Sequence, residues 1–454
     1  MSIPARIAAW ACIGSLGFGA QARAGDMAAE ARRRPVQLQQ TTCAAEEPCE
    51  LGSPERRQLA GDVAEYTYQV RVGLGAHDVL TLHRVVREPT AGTPLRTSRS
   101  VFLVHGDVWG FRNAFLAGAS SPAVDSKHSL ALFLARHGVD VWGLDERWVH
   151  VPADTTDFSF MKDWNLGLHA RDVGTGLALA RAARALNGNG VGKMTLLGWS
   201  RGATVSYAYL NAETQLPPEL RQVSGFIPVD MPYKLAPDAT TERTAACTAY
   251  AALAQLQASG QYEGGQLGVL LQSLGMLALA QPDEASPIPP LQGLTNKQGA
   301  LLFGGATYTL QQPPVIPFYH WAGAQLSGPL PTSLKWMGAS FFFENMTQAS
   351  PYQSIGEQVD TLAMWCGTQD VPYDDHLREV MVPVFYVGAA GGTGTYGLHS
   401  LSLLGSTDQS SLVVSGGTGG MLPRAEEYGH ADLFLANDAE ERVWTPILDW
   451  VQRH

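Results

Sequence analysis

The sequence is poor in charged residues, and basic residues are the scarcer kind. Charged residues make up 16% of its 454 residues, and 31 lysines and arginines stand against 42 aspartates and glutamates, for a formal net charge of −11. Such a chain offers no broad basic face for binding a phosphate backbone or an anionic membrane surface. Nucleic acid is therefore not an expected partner.

Long apolar runs are scarce as well. Beyond the N-terminal region, no segment provides the about 20 uninterrupted apolar residues of a membrane-spanning helix. The apolar run at residues 7–20 is shorter, follows Arg6, and ends in small residues suited to cleavage between positions 20 and 24. This layout is typical of a secretory signal, although a buried N-terminal helix would fit the same pattern. We expect residues 1–24 to be a signal peptide and the protein to be secreted or periplasmic.

Cysteine is also rare. Only five occur, and Cys12 lies within the predicted signal. The other four form an even set, which favours disulfide bonds in an exported chain. We favour one bond between Cys43 and Cys49, which are close in sequence, and a second between Cys247 and Cys366. Four cysteines allow three pairings, and free thiols are the alternative.

Apolar residues, in contrast, are plentiful at 45%, which is enough for a large core. Residues 25–60 have no clear periodicity and predict a flexible leader. Residues 65–73 and 78–88 alternate apolar and polar side chains and predict a hairpin. Further strands are predicted at residues 100–104, 139–144, 193–199, 225–229, 382–387 and 411–414, and helices at residues 126–137, 172–186, 201–210 and 439–452.

This alternation of strand and helix predicts an α/β fold with a mostly parallel central sheet flanked by helices. The rhythm stops at residues 231–380, a segment too long for a bare loop, which predicts a large inserted cap. Residues 61–230 and 381–454 would then form the two parts of the core. Within the cap, Trp336 and residues 341–343 are aromatic. They either line an acyl site or pack in the cap's own core.

The strongest local motif is Gly198-Trp199-Ser200-Arg201-Gly202, which fits G-x-S-x-G between a predicted strand and a predicted helix. In that setting the serine occupies a sharp turn, and the small flanking residues let strand and helix approach. The turn exposes the hydroxyl at the carboxyl edge of the sheet. Ser200 is therefore the predicted nucleophile.

A serine hydroxyl needs a base within hydrogen-bonding reach. Among the 12 histidines, His430 lies in a loop between the last predicted strand and the terminal helix, and is the predicted base. His105 follows an early strand, where its ring is expected to support a loop. The oxyanion of acyl transfer would be stabilised by the backbone N–H groups of Arg201 and Asp107, with the Asp107 carboxylate pointing away.

Together, His105-Gly106, residues 198–202 and Gly429-His430 resemble the α/β-hydrolase superfamily over residues 65–454. The resemblance implies the α/β-hydrolase fold, a chain order of serine, acid and histidine, and a serine hydrolase of the esterase or lipase type. It also implies that Asp145, in an Asp-x-Arg turn, is structural.

Residues 158–164 and Asp172 additionally resemble the segment that precedes the nucleophile in acid lipases. Trp199 stands where those lipases carry a histidine.

The acid of the triad is less evident. Most superfamily members carry it after the strand predicted here at residues 382–387, yet residues 388–394 contain no acid. Asp408 precedes the next strand and should lie at the wrong end of the sheet, while Asp432 follows His430 too closely. Asp230 ends the strand at residues 225–229, where some members place their acid. We predict Asp230, with Asp408 as the alternative and an N-cap of the first cap helix as the structural interpretation of Asp230.

The predicted activity is hydrolysis of a small-molecule or lipid-like carboxylic ester through an acyl-enzyme. A peptidase or amidase and an acyltransferase are alternatives on the same fold. A non-catalytic binding protein is less favoured, because both Ser200 and His430 are present. Haloalkane dehalogenases and epoxide hydrolases are excluded, because they carry aspartate at the position of Ser200. No metal or organic cofactor is expected, since the triad generates its own nucleophile and no residue cluster has zinc spacing.

Overall fold

The computed structural model describes residues 54–310, 314–417 and 424–454. The predicted signal peptide and the favoured bond between Cys43 and Cys49 lie outside these ranges, as does the predicted leader up to residue 53. At the centre of the described residues is a nine-stranded sheet with helices on both faces.

The strands are β1 (Glu55–Gln58), β2 (Val63–Arg71), β3 (Val79–Arg87), β4 (Ser100–Val104), β5 (Asp140–Asp145), β6 (Met194–Trp199), β7 (Val223–Val229), β8 (Ala324–Ser327), β9 (Leu330–Leu334), β10 (Val384–Ala389) and β11 (Gln409–Val414). The sheet order is β1-β2-β3-β5-β4-β6-β7-β10-β11, and β8 pairs with β9 separately. From β1 to β5 the pairs are antiparallel, and from β5 to β11 they are parallel. The mostly parallel sheet predicted from the sequence is confirmed.

The central strands are apolar because helices cover both of their faces. In β4, successive side chains point to opposite sides, so Val101 and Leu103 join the core on one face while Phe102 and Val104 join the core on the other. All of β4, β5, β6 and β10 is buried. The carboxyl ends of these parallel strands form one edge of the sheet, where the predicted site residues lie.

The helices are α1 (Phe111–Phe115), α2 (Leu130–Arg136), α3 (Leu166–Leu186), α4 (Arg201–Glu213), α5 (Thr240–Ala258), α6 (Leu267–Ala280), α7 (Asn296–Gly305), α8 (Ala339–Thr347), α9 (Ile355–Cys366), α10 (Tyr396–Ser402), α11 (Asp432–Leu435) and α12 (Thr445–Arg453). Helices α5 to α9 and the β8–β9 hairpin lie between β7 and β10 in the chain, in the segment that we call the cap. In the described part of the chain, no helix combines the length and the apolarity that crossing a bilayer requires.

Within the cap, α5 packs against α9, and Cys247 of α5 is joined to Cys366 of α9 by a disulfide bond. This pair is one of the two that the sequence favours. Phe341, Phe342 and Phe343 of α8 are buried in the hydrophobic core, and Trp336 donates its indole N–H to the Glu426 carbonyl. Of the two roles considered for these aromatics, the structure supports packing.

The predicted leader, residues 25–60, extends too far toward the C-terminus. Residues 55–58 form β1 at the edge of the sheet. Two buried carboxylates hold this strand by ion pairs. Arg56 pairs with Glu88, and Arg57 Nε lies 3.0 Å from Glu65 Oε2. Periodicity does not reveal such a strand, because its side chains are mostly exposed.

Two predicted helices have wrong boundaries. The helix predicted at residues 172–186 begins at Leu166, because the Asn165 side chain caps it by accepting from Leu168 N–H at 2.9 Å. The helix predicted at residues 126–137 is shorter. The Asp125 side chain accepts from Lys127 N–H at 2.8 Å, which keeps the preceding residues in a turn.

The terminal helix predicted at residues 439–452 is not continuous. Residues Glu440–Trp444 form a π-helical turn before α12. Pro446 has no N–H to donate to the carbonyl four residues earlier, so a regular α-helix cannot run through this point.

Candidate active site

Ser200 connects β6 to α4 in a strained backbone conformation, with φ 57° and ψ −128°. Strain of this kind costs about 1–3 kcal/mol and persists only where the surroundings impose it. Here the Ser200 N–H donates to the carbonyl of Val229 at 2.9 Å, which fixes the turn against the end of β7. This is the strand-to-helix turn that the motif predicts for a nucleophile.

The glycines around Ser200 allow close approaches of the backbone. A β-carbon on Gly198 would overlap the carbonyl oxygen of Gly202, and one on Gly202 would overlap that of Val104. From the facing loop, a β-carbon on Gly106 would lie 2.6 Å from Ser200 Cβ. The loop after β4 therefore reaches the serine only because position 106 has no side chain.

His430 and Asp230, 200 positions apart in sequence, meet at the carboxyl edge of the sheet. His430 Nδ1 donates to Asp230 Oδ2 at 2.6 Å, and both side chains are buried. The His430 N–H donates to the carbonyl of His320 at 3.0 Å, and its ring stacks on Trp199 with centroids 5.2 Å apart. These contacts fix the plane and the position of the imidazole.

Asp230 follows β7 with φ 48° and is fully buried. Its Oδ1 accepts from the N–H groups of Ala389 at 2.8 Å and Gly394 at 3.0 Å, and its Oδ2 accepts from that of Thr393 at 3.2 Å. The loop after β10, whose residues 388–394 include no acid, thus supplies hydrogen-bond donors to a carboxylate from the neighbouring strand. Such bonds to a charged acceptor are stronger than neutral ones.

The other acids considered for this position lie elsewhere. Asp408 precedes β11 at the opposite edge of the sheet, is largely exposed, and lies 3.3 Å from His454 Nε2. Asp432 accepts from the N–H groups of Gly323 and Gly429, at 2.7 Å each, and so braces the histidine loop. Asp230 is not an N-cap, because α5 begins only at Thr240.

His105 and Asp145 both act as structural supports. His105 is fully buried; its Nδ1 donates to the Gly106 carbonyl at 3.0 Å and its Nε2 accepts from Glu146 N–H at 3.1 Å. Asp145 Oδ1 accepts from the N–H of Phe111 at 2.6 Å. The loop that carries Gly106 is therefore anchored to the end of β5.

Asp107 and Arg201, whose backbone N–H groups are the predicted oxyanion donors, are joined through their side chains. Arg201 Nε and Nη2 donate to Asp107 Oδ1 and Oδ2, each at 2.9 Å. Gln353 from the cap donates to the same carboxylate at 2.7 Å. Burial acts to raise the pKa of Asp107, but the charge and hydrogen bonds of Arg201, together with the hydrogen bond from Gln353 and the charge of His430, outweigh burial and lower the pKa. The Asp107 carboxylate is thus bound to the Arg201 guanidinium, and both residues border the same cavity.

One cavity of about 410 Å³ borders Ser200, Arg201, Asp107 and His430. Its volume lies within the range of small-molecule sites, about 300–1,000 Å³. The cap supplies most of the apolar lining, including Leu253, Leu267, Leu270, Ile288, Phe303 and Trp365. The arrangement can hold an apolar group next to the serine hydroxyl.

Sequence reasoning missed two cap residues near the site: Gln353, which borders the cavity, and Glu357, which lies behind Arg201. Gln353 binds Asp107, and Glu357 Oε1 lies 4.0 Å from Arg201 Nε. No motif surrounds either residue. The only signal is the presence of polar side chains at the start of the amphipathic α9, which is too general to identify them.

No protein-family model matches the chain, and no curated protein matches it in sequence. Solved structures do match. A candidate lipase from Sulfolobus solfataricus is 17% identical, with 88% of this chain and 99% of that chain covered and a TM-score of 0.58. A soluble variant of monoglyceride lipase from Saccharomyces cerevisiae is 13% identical, with 91% and 99% covered and a TM-score of 0.40. The chain has the α/β-hydrolase fold, as the sequence resemblance implies.

Proposed function

We propose that the protein is a serine hydrolase that cleaves carboxylic esters with an apolar portion. One observation carries the proposal: a serine on a strained turn and a histidine bound to a buried aspartate border the same cavity. Fold alone does not determine function, so the argument depends on these side chains.

In the proposed reaction, His430 takes the proton of Ser200 Oγ as the oxygen attacks the ester carbonyl. Asp230 orients the imidazole through Nδ1 and stabilises the imidazolium that forms. The imidazolium then protonates the leaving alcohol. In the second half of the reaction, His430 takes a proton from water as the water attacks the acyl-enzyme, and it returns this proton to Ser200 Oγ as the acid is released. The N–H groups of Arg201 and Asp107 stabilise the oxyanion. This chemistry generates its nucleophile without a metal or an organic cofactor.

The apolar lining supports an acyl or alkyl chain as the group that the cavity binds. Leu267 and Leu270 of α6 and Phe303 of α7 face the same space as the serine. Burial of apolar surface contributes about 25 cal/mol per Å² to binding such a chain. The partner is therefore a small-molecule or lipid-like ester.

Labelling with a fluorophosphonate tests the nucleophile. Wild-type protein should react, and Ser200→Ala should not. Ser273→Ala is the matched control, because this second serine borders the same cavity but donates its hydroxyl to the Val269 carbonyl. Equal labelling of wild type and Ser200→Ala would contradict the proposal.

The bond type is tested by comparing p-nitrophenyl esters of increasing acyl length with aminoacyl anilides. We expect turnover of the esters, with a preference for apolar acyl groups. Faster turnover of the anilides would establish a peptidase or amidase on the same residues, and product formation dependent on an added alcohol would establish an acyltransferase.

A further inference from the structure

Three ionisable side chains converge behind the site, from parts of the chain that are distant in sequence. Glu146 follows β5, His169 lies on α3 and Glu357 lies on α9 of the cap. His169 Nδ1 is 3.0 Å from Glu146 Oε2 and 2.6 Å from Glu357 Oε2. One ligand-type atom from each residue lies within 4.8 Å of the other two, and all three side chains are at least 97% buried.

Each of these residues also keeps a buried polar atom with no hydrogen-bond partner among the described residues: Glu146 Oε1, His169 Nε2 and Glu357 Oε1. His169 Nδ1 therefore faces both carboxylates, while the second ring nitrogen of His169 and one oxygen of each carboxylate form no hydrogen bond with the described residues. An unsatisfied buried polar atom is costly, and more so if it is charged, so the free oxygens of Glu146 and Glu357 call for a missing group on the carboxylate side of the imidazole ring.

A second buried histidine in this chain has a different arrangement. His83 binds Glu65 through Nδ1 at 2.9 Å and Asp145 through Nε2 at 3.0 Å, so both ring nitrogens are used. Arg112 also donates to Glu65, at 2.8 Å. The His83 cluster is complete with protein groups alone, whereas the His169 cluster is not.

Charge leads to the same conclusion. Arg201 is the nearest arginine to Glu357, but both bonds that its guanidinium makes go to Asp107. Among the described residues, His169 is thus the only cationic group that hydrogen-bonds to Glu146 and Glu357, while Arg201 lies at the edge of the cluster. Buried charges require pairing or metal coordination.

The geometry points to a divalent transition-metal site formed by Glu146, His169 and Glu357. One imidazole nitrogen and carboxylate oxygens form a ligand set that suits Zn²⁺, with bonds of about 2.0–2.2 Å. His169 would coordinate as the neutral imidazole and release its proton, and the doubly charged cation balances the two carboxylates.

None of the three residues borders the substrate cavity. The metal is therefore structural, and its role is to join the cap to the core. Glu357 comes from the cap and the other two ligands from the core, so a shared cation holds α9 against α3 and the end of β5. Metal affinity then adds directly to the stability of this contact.

The test uses the full chain produced in zinc-supplemented medium. We expect about one equivalent of zinc by mass spectrometry of the metal content, a fall in the thermal midpoint after removal with dipicolinate, and recovery of the midpoint when ZnCl₂ is restored. The proposal would be overturned if the thermal midpoint of metal-free wild-type protein did not respond to ZnCl₂ and calorimetry showed no zinc binding.

Variants localise the metal. Glu357→Gln and His169→Gln should weaken zinc binding by about 100-fold or more, since loss of outer-shell partners alone costs about 10- to 100-fold. His83→Gln is the matched control, because it removes a buried histidine between two carboxylates at the complete cluster. It should lower the thermal midpoint yet keep the zinc. Loss of zinc in His83→Gln alone would place the metal elsewhere and contradict this assignment.

Discussion

Asp107 and Arg201 form a two-bond ion pair between the two residues whose backbone N–H groups are proposed to stabilise the oxyanion. One residue lies on the loop after β4 and the other at the start of α4. Their side chains thus fix the distance between two donors that belong to different elements. Donors that are already held in place stabilise an oxyanion more than donors that must first be brought together.

Asp107→Asn should therefore lower kcat while changing KM little. We expect about a tenfold effect, smaller than the 100- to 1,000-fold that follows removal of an oxyanion donor itself, because the backbone N–H remains. Ester kinetics and the inhibition constant of a boronic acid should change in parallel. Asp140→Asn is the control, since Asp140 forms a similar buried two-bond pair with Arg84 away from the site. It should cost stability and leave kcat of the folded enzyme unchanged; an equal drop in both variants would show that Asp107 acts only through stability.

Asp230→Asn should reduce kcat by about 10⁴-fold with the fold intact, because an amide cannot hold the imidazole in the required tautomer. Steady-state ester hydrolysis measures the effect, and circular dichroism checks the fold. Asp408→Asn should have near-wild-type turnover, since Asp408 lies at the opposite edge of the sheet. The reverse pattern would make Asp408 the acid.

Gly392→Ala should displace the acid without removing it. A β-carbon at this position would overlap Asp230 Oδ2, the oxygen that binds His430. Misplacement of such a group by about 1 Å can cost about 100-fold in rate, so kcat should fall on that scale. Gly192→Ala is the control, because a β-carbon there meets nothing within 4 Å. Unchanged turnover in Gly392→Ala would show that the loop after β10 tolerates a shift of the carboxylate.

Glu65 should make stability depend on pH in the acid range. Burial acts to raise its pKa, but hydrogen bonds from His83 and Arg112 lower the pKa to about 2. The folded pKa lies below the unfolded value of about 4.3, so the group contributes stability above pH about 4.3, and this contribution is lost as pH falls toward 2.

Glu65→Gln should accordingly lose on the order of 3 kcal/mol at pH 7, with a difference from wild type that shrinks toward pH 2. Urea unfolding at several pH values measures this. Glu379→Gln, at a largely exposed carboxylate, is the control and should show little change at any pH. A constant difference between wild type and Glu65→Gln from pH 7 to pH 2 would contradict the linkage.

The sequence predicts the geometry best where the residues concerned are close together in the chain. The turn at Ser200 is determined by two glycines within two positions and by the strand and helix on either side. The position of Asp230 could be predicted because Asp230 ends a strand, and parallel strands end at a common edge of the sheet. The cluster of Glu146, His169 and Glu357 has no such local signature, because its members meet only when the cap folds onto the core. The β1 strand was missed for a related reason, since its contacts with Glu65 and Glu88 are long-range ion pairs that leave no periodicity.

The cap is bound to the histidine loop by backbone. The carbonyls of His320 and Trp321 accept from the N–H groups of His430 at 3.0 Å and Ala431 at 2.7 Å, and the Gly323 N–H donates to Asp432. A chimera could be made by replacing the cap with that of another protein of this fold, with the junctions at the two ends of the insertion. Such a chimera would disturb the hydrogen bonds that position the His430 imidazole, because their donors and acceptors would come from different proteins. The cap and residues 429–432 must therefore come from the same parent protein if a chimera is to be active.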